Sequence, residues 1–135
     1  MGHFEFGLDR QPVNTGDQAR TDSILELWQR GEEVRGWARY WSQIYDYVCD
    51  RISANTALAG AVHITRFETL CEMPRDTLDR VFRHCELNVT DDYLSAQADR
   101  VRAPAYYQST FSHEELNAIE EETATTVQRV HKLAD

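Results

Sequence analysis

Val62-His63-Ile64-Thr65-Arg66-Phe67-Glu68-Thr69-Leu70 decides how this chain is read. Met73-Pro74 and Thr77-Leu78-Asp79-Arg80-Val81-Phe82 follow it closely. Val62, Ile64 and Thr65 are β-favouring residues in a short run, so Ala61 to Phe67 carries the best strand signal in the sequence. An acidic loop and an amphipathic helix come next. Pro74 suits the first turn of that helix, where its missing N–H is no loss. Leu78, Val81, Phe82 and Cys85 form its apolar stripe. A lone strand leaves its backbone hydrogen bonds unmet. Phe4 to Leu8 is only a weak second candidate, so a strand at 61–67 implies neighbours supplied by something else.

Outward from this stretch the signals are helical. Residues 1–20 have little periodicity and are punctuated by Gly7, Pro12, Asn14, Gly16 and Asp17, which reads as a loose lead-in. A helix is expected from Thr21 or Asp22, either of which could cap it, with Ile24, Leu25, Leu27 and Trp28 as its stripe. Gly31 interrupts. A longer helix follows from about Glu32 to Ile52. Its Trp37, Tyr40, Trp41, Ile44, Tyr45, Val48 and Ile52 recur at three- and four-residue steps, which predicts core packing of that face. Arg35, Arg39, Gln43, Asp46 and Asp50 fall on the other side. Ser53 to Gly60 reads as a small-residue connection. Thr90 or Asp91 caps a short helix holding Tyr93, Leu94 and Ala98. Arg100 to Gln108 contains Pro104 and is expected to be extended. Ser112 with Glu115 three residues on forms a capping box for the last helix. Leu116, Ile119, Thr123, Val127 and Val130 continue its inward face, and Glu114, Glu115, Glu120, Glu121 and Glu122 are expected to face water. The fold class is therefore mainly α with one short strand. Residues 1–20 form a lead-in and 21–135 a helical part.

The chain has 135 residues, 14 basic and 23 acidic, for a formal charge of −9. Such a balance repels nucleic-acid phosphates, so no nucleic-acid partner is expected. No apolar run reaches the length of a membrane span. The three cysteines, Cys49, Cys71 and Cys85, form an odd set without a secretory signal, which points to free thiols in a reducing cytoplasm. The five histidines, His3, His63, His84, His113 and His131, show no metal-ligand spacing, and no CxxC or HxxxH occurs. The chain has no GxSxG elbow, and neither GxxxxGK[ST] nor GxGxxG is present, so serine-hydrolase and pyrophosphate-cradling readings fail.

The arginines near aromatic rings carry more meaning. An anionic nucleotide needs guanidinium forks for its phosphate and a flat ring for its base. Arg66, Phe67, Arg100, Arg102 and Tyr106 are of those types. Surface arginines beside packed aromatics satisfy the same pattern, and composition alone favours that plainer account.

Arg66-Phe67-Glu68-Thr69-Leu70, with Pro74 four residues on, resembles the late Arg-Tyr-Glu-Asp-Leu segment of the sulfotransferase family. Ala103-Pro104-Ala105-Tyr106-Tyr107, then Phe111 to Leu116 and Ile119, is similar to the closing loop and helix of bacterial members. The helix with Trp37 and Trp41 resembles the one before the strand. The resemblance covers roughly residues 20 to 132. It implies a remnant of an α/β, P-loop-type parallel-sheet fold. The implied donor is 3′-phosphoadenosine-5′-phosphosulfate, and the implied reaction is in-line transfer of its sulfuryl group to a hydroxyl or amine. The adenine-stacking tyrosine of the family corresponds to Phe67, which keeps the ring and loses the hydroxyl. Thr69 stands where the family has Asp. Arg100 or Arg102 is nearest to the late basic loop that touches the 3′-phosphate. The first strand, the phosphosulfate loop and the general base have no counterpart here.

Two readings follow. One is the C-terminal part of a bacterial-type sulfotransferase, inactive alone and paired through 61–67 with a missing N-terminal half. The other is a non-catalytic helical interaction protein, dimeric if a second copy pairs with that edge. A third, a divergent enzyme using Arg66 and His63, has less support, because a single histidine near a strand is usually structural.

Overall fold

A computed structural model describes residues 10–104 and 109–134. It is mainly helical, and no strand is present among the described residues. In chain order the helices are α1 (Gln18–Gln29), α2 (Glu33–Ala54), α3 (Thr56–Ala61), α4 (Phe67–Glu72), α5 (Pro74–His84), α6 (Asp91–Ala98) and α7 (His113–Ala134). The chain divides into two compact units. One comprises the residues up to Asn55 together with Thr110–Leu133, and the other comprises Thr56–Ser109.

The expected strand at 61–67 is not formed. Ala61 closes α3, Phe67 opens α4, and only residues 62–66 between them lack helix. The backbone is still extended where it meets α4, with Arg66 at φ −78° and ψ 134°. The β-favouring residues thus stay outside helix, but a ladder requires a second strand and none is present among the described residues. Phe67 and Glu68 join the helix instead, with Glu68 in its first turn, where the dipole favours an acid.

In the first unit α1 begins at Gln18, four residues before the expected caps. Asp17 is the cap, accepting from the Arg20 amide at 2.9 Å. Thr21 turns inward instead, and its hydroxyl donates to the Asp17 carbonyl. The segment before α1 is not helical, yet it is tied to α2. The Val13 amide donates to the Tyr40 hydroxyl at 3.0 Å, and Gln43 Nε2 donates to the Val13 carbonyl at 2.9 Å. Residues 1–9 lie outside the described residues. The turn from α1 to α2 is a Schellman motif: Glu32 N donates to Leu27 O and Gly31 N to Trp28 O. Gly31 occupies the left-handed position, φ +81°.

The core of this unit is Ile24, Trp28 and Tyr40, with Leu25, Trp37 and Ile44 packed against it. The faces of α2 are used differently from the expectation. Gln43, expected on the outer side, is 1% exposed, and Ser42 and Cys49 are also buried. Trp41, Tyr45 and Val48, expected inside, are each exposed by more than a third. Gln43 is taken up on the α1 side, where its Nε2 donates to the Val13 carbonyl and lies 3.3 Å from the Thr21 hydroxyl, and the rest of the polar flank is covered by α7. There the Ser42 hydroxyl donates to the Glu122 carbonyl at 2.7 Å and Thr126 donates to Asp46 at 3.0 Å.

The second unit holds α3 to α6. Pro74 stands in the first turn of α5 and Thr90 caps α6, both as expected. The Thr77 hydroxyl, fully buried, donates to the Thr69 carbonyl and ties α5 to α4. Apart from Leu94 and Ala98, few apolar side chains here are fully buried, and Val62, Phe67, Met73, Leu87 and Tyr93 are exposed.

Candidate functional site

Of the five residues picked out for an anionic nucleotide, Arg66, Phe67, Arg100 and Arg102 are described and lie in the second unit. Arg66 caps α4 without a side-chain cap bond, and its Nε is buried with no hydrogen-bond partner. The next residue, Phe67, is 55% exposed, so its ring face is open to a ligand. Arg100 follows α6 on the surface, with Nη1 3.4 Å from Gln97 Oε1. Arg102 donates to the Val101 carbonyl at 2.7 Å. Tyr106 and Tyr107 lie outside the described residues.

Of these four, only Arg102 lines a concavity of about 500 Å³ between the start of α5 and the end of α6. Cys71, Pro74, Arg75, Asp76, Ser95 and Asp99 also line it. Two guanidiniums therefore meet one hollow, which is the arrangement an anionic oxygen cluster requires. Asp76 and Asp99 stand on the same wall and weaken that attraction. Arg75 is already paired with Asp91 at 2.9 Å. The hollow thus offers a partial cation site with neither a phosphate loop nor a general base. The sequence reading passed over Arg75. Its signal was Pro74, which sets the start of the helix and puts the next residue in the first turn.

His63 and His84 lie together, ring centroids 5.3 Å apart, with His84 Nε2 3.3 Å from the Ala61 carbonyl. No cluster of three or more His, Cys, Asp or Glu residues able to hold a metal is present among the described residues. Cys49, Cys71 and Cys85 are free thiols. Burial pushes the Cys49 thiol up, which keeps it protonated and a poor nucleophile.

The strongest electrostatics lie in the first unit. Glu122, expected in water, is 13% exposed and takes hydrogen bonds from Arg39 at 2.7 and 2.8 Å and from Arg35 at 3.0 Å. The bonds from Arg39 draw its carboxyl below the usual range against the effect of burial, and Arg35 adds to them. Asp46 is squeezed the other way by burial, but bonds from Arg20, Thr126 and Arg129 prevail and hold it low. These groups are fully committed to one another, so they serve packing, not chemistry. No helix among the described residues is long and apolar enough to cross a membrane. Comparison with models of protein families, with curated proteins and with solved structures finds no match to this chain.

Proposed function

We propose that this chain is the C-terminal portion of a sulfotransferase. In this reading it supplies one wall of the site that binds 3′-phosphoadenosine-5′-phosphosulfate and is inactive without an N-terminal half. The observation that carries the reading is the non-helical run at 62–66, without a strand partner among the described residues and ending in Arg66, extended, just before Phe67. Residues in such a run need a neighbouring strand. The unpartnered Nε of Arg66 and the open ring of Phe67 support a ligand at the same place. In this role Phe67 stacks on the adenine, and Arg102, with Arg100 beyond α6, faces the 3′-phosphate. The donor supplies the sulfuryl group for a hydroxyl or amine acceptor. The groups that activate the acceptor belong to the missing half.

A calorimetric titration with adenosine 3′,5′-bisphosphate tests the reading. It is run on this chain alone and with the N-terminal half of a bacterial sulfotransferase added. Binding in the mixture, weakened about tenfold by Arg102→Ala or Phe67→Ala, is the expected result. An absence of binding in both samples overturns the proposal.

A second reading, a non-catalytic helical interaction protein with the same unpaired edge, has its own support in an apolar groove of the first unit, lined by Trp37, Trp41 and Phe111. A stable dimer with no affinity for the bisphosphate would favour it.

A further inference from the structure

Packing α1 and α7 onto α2 leaves an aromatic strip of α2 facing water. Val34, Trp37, Trp41, Phe111, Ile119 and Val127 line a groove of about 490 Å³ there. Trp41 is 36% and Phe111 48% exposed. The Trp41 ring lies 4.4 Å from the Tyr45 ring. Contiguous apolar surface of this kind on a water-facing protein marks an interaction site. Its walls are two long helices, a geometry suited to a third helix laid between them.

Charge identifies the occupant. Val34 also lines a neighbouring hollow whose wall carries Glu32, Glu33, Glu114 and Glu115 against the single cation Arg35. Glu32 and Glu33 are partly answered by Arg30, Arg35 and Arg10. Glu114 and Glu120, both exposed, have no ion-pair partner among the described residues. A second copy would bring the same glutamates to the same rim, and the whole chain carries −9, so self-association through this face is opposed. We infer that the groove binds a basic amphipathic helix of a partner protein, whose apolar stripe lies on Trp41 and Phe111 and whose lysines or arginines meet the acidic hollow that adjoins the groove at Val34, Glu114 above all. The inference does not depend on nucleotide binding, because none of these residues belongs to the nucleotide wall.

The probe is a two-heptad peptide of leucine and lysine with its leucines on one helical face, titrated calorimetrically into the full chain. It is expected to bind, to weaken as salt is raised, and to become helical on binding. The same leucines with glutamate in place of lysine are expected not to bind. A scrambled peptide of equal composition is expected to bind about tenfold more weakly. Trp41→Ser with Phe111→Ser is expected to cost about tenfold in affinity while leaving the circular dichroism of the chain unchanged. Glu114→Gln, which leaves the core untouched, is expected to cost about twofold. Equal binding of the scrambled peptide, or binding indifferent to both the aromatic double variant and Glu114→Gln, overturns the inference. So does light scattering that shows a stable dimer broken by Trp41→Ser. A chain that takes the peptide but binds no bisphosphate, alone or with the N-terminal half added, keeps this inference and removes the sulfotransferase reading.

Discussion

Trp28 is the residue on which the first unit closes. Its ring meets Trp37 at 4.7 Å and Tyr40 edge-on at 6.1 Å, and the Arg10 guanidinium lies 4.7 Å above it. Gly36 lets this happen, because a Cβ built there would clash with the Trp28 ring at its Cδ1 and Nε1. Gly36→Ala is therefore expected to destabilise the protein by about 1–3 kcal/mol, since the ring is buried and cannot swing clear. Chemical denaturation measures it, and an unchanged midpoint would mean that the ring yields. Glu86 is the opposite case. It holds the left-handed position of the Schellman motif that ends α5, at φ +56°, with Leu87 N donating to Phe82 O at 2.8 Å. A side chain there carries backbone strain that glycine avoids. Glu86→Gly is expected to raise stability by about 0.5–1 kcal/mol, seen as a higher thermal midpoint.

Among the elements, α2 and α7 depend on their charges. Asp46 and Glu122 both sit below the ordinary carboxylate range. The folded state thus binds their protons less readily than the unfolded state does. The resulting stability is complete above the ordinary carboxylate pKa of about 4 and is lost as pH falls through the lowered folded values. Thermal midpoints are expected to be nearly flat from about pH 7 to 5 and to drop below about pH 4. Glu122→Gln is expected to cost about 1–2 kcal/mol at neutral pH and to shrink the acid loss. A variant whose acid profile matches the parent would remove Glu122 from this role.

The same pair of helices shows what could be read from the sequence and what could not. Caps are local, so Pro74, Thr90 and the Ser112–Glu115 box were legible, and the box is formed with Ser112 N donating to Glu115 Oε2 at 2.7 Å. The 3.6-residue period of α2 was legible too. Which of its faces a partner helix would cover was not, because that depends on α7, some 80 positions along the chain from its contact at Ser42. Arg35, Arg39 and Glu122 each read as solvent-facing, and they pair with one another. Val62, Ile64 and Thr65 read as a strand and form none, because strand formation depends on a neighbour that local propensity does not reveal.

At the scale of the molecule, the two units differ in how far they satisfy themselves. The first has a tryptophan-centred core and a web of ion pairs. The second buries Leu94, Ala98 and Thr77 and leaves Phe67, Met73 and Leu87 about half exposed. Of the proposed nucleotide wall, the residue types were legible in the sequence. Their grouping was not: Arg102 shares its hollow with the overlooked Arg75, and Arg100 does not line it. The non-helical run at 62–66, without a strand partner among the described residues and in a unit with so thin a core, is the surface that the sulfotransferase proposal pairs with a missing sheet.

Hydrogen–deuterium exchange at residues 62–66 tests that claim most directly. These amides are expected to exchange rapidly in the chain alone and to become protected when the N-terminal half of a bacterial sulfotransferase is added. Protection already present in the isolated chain, or none gained in the mixture, would contradict it.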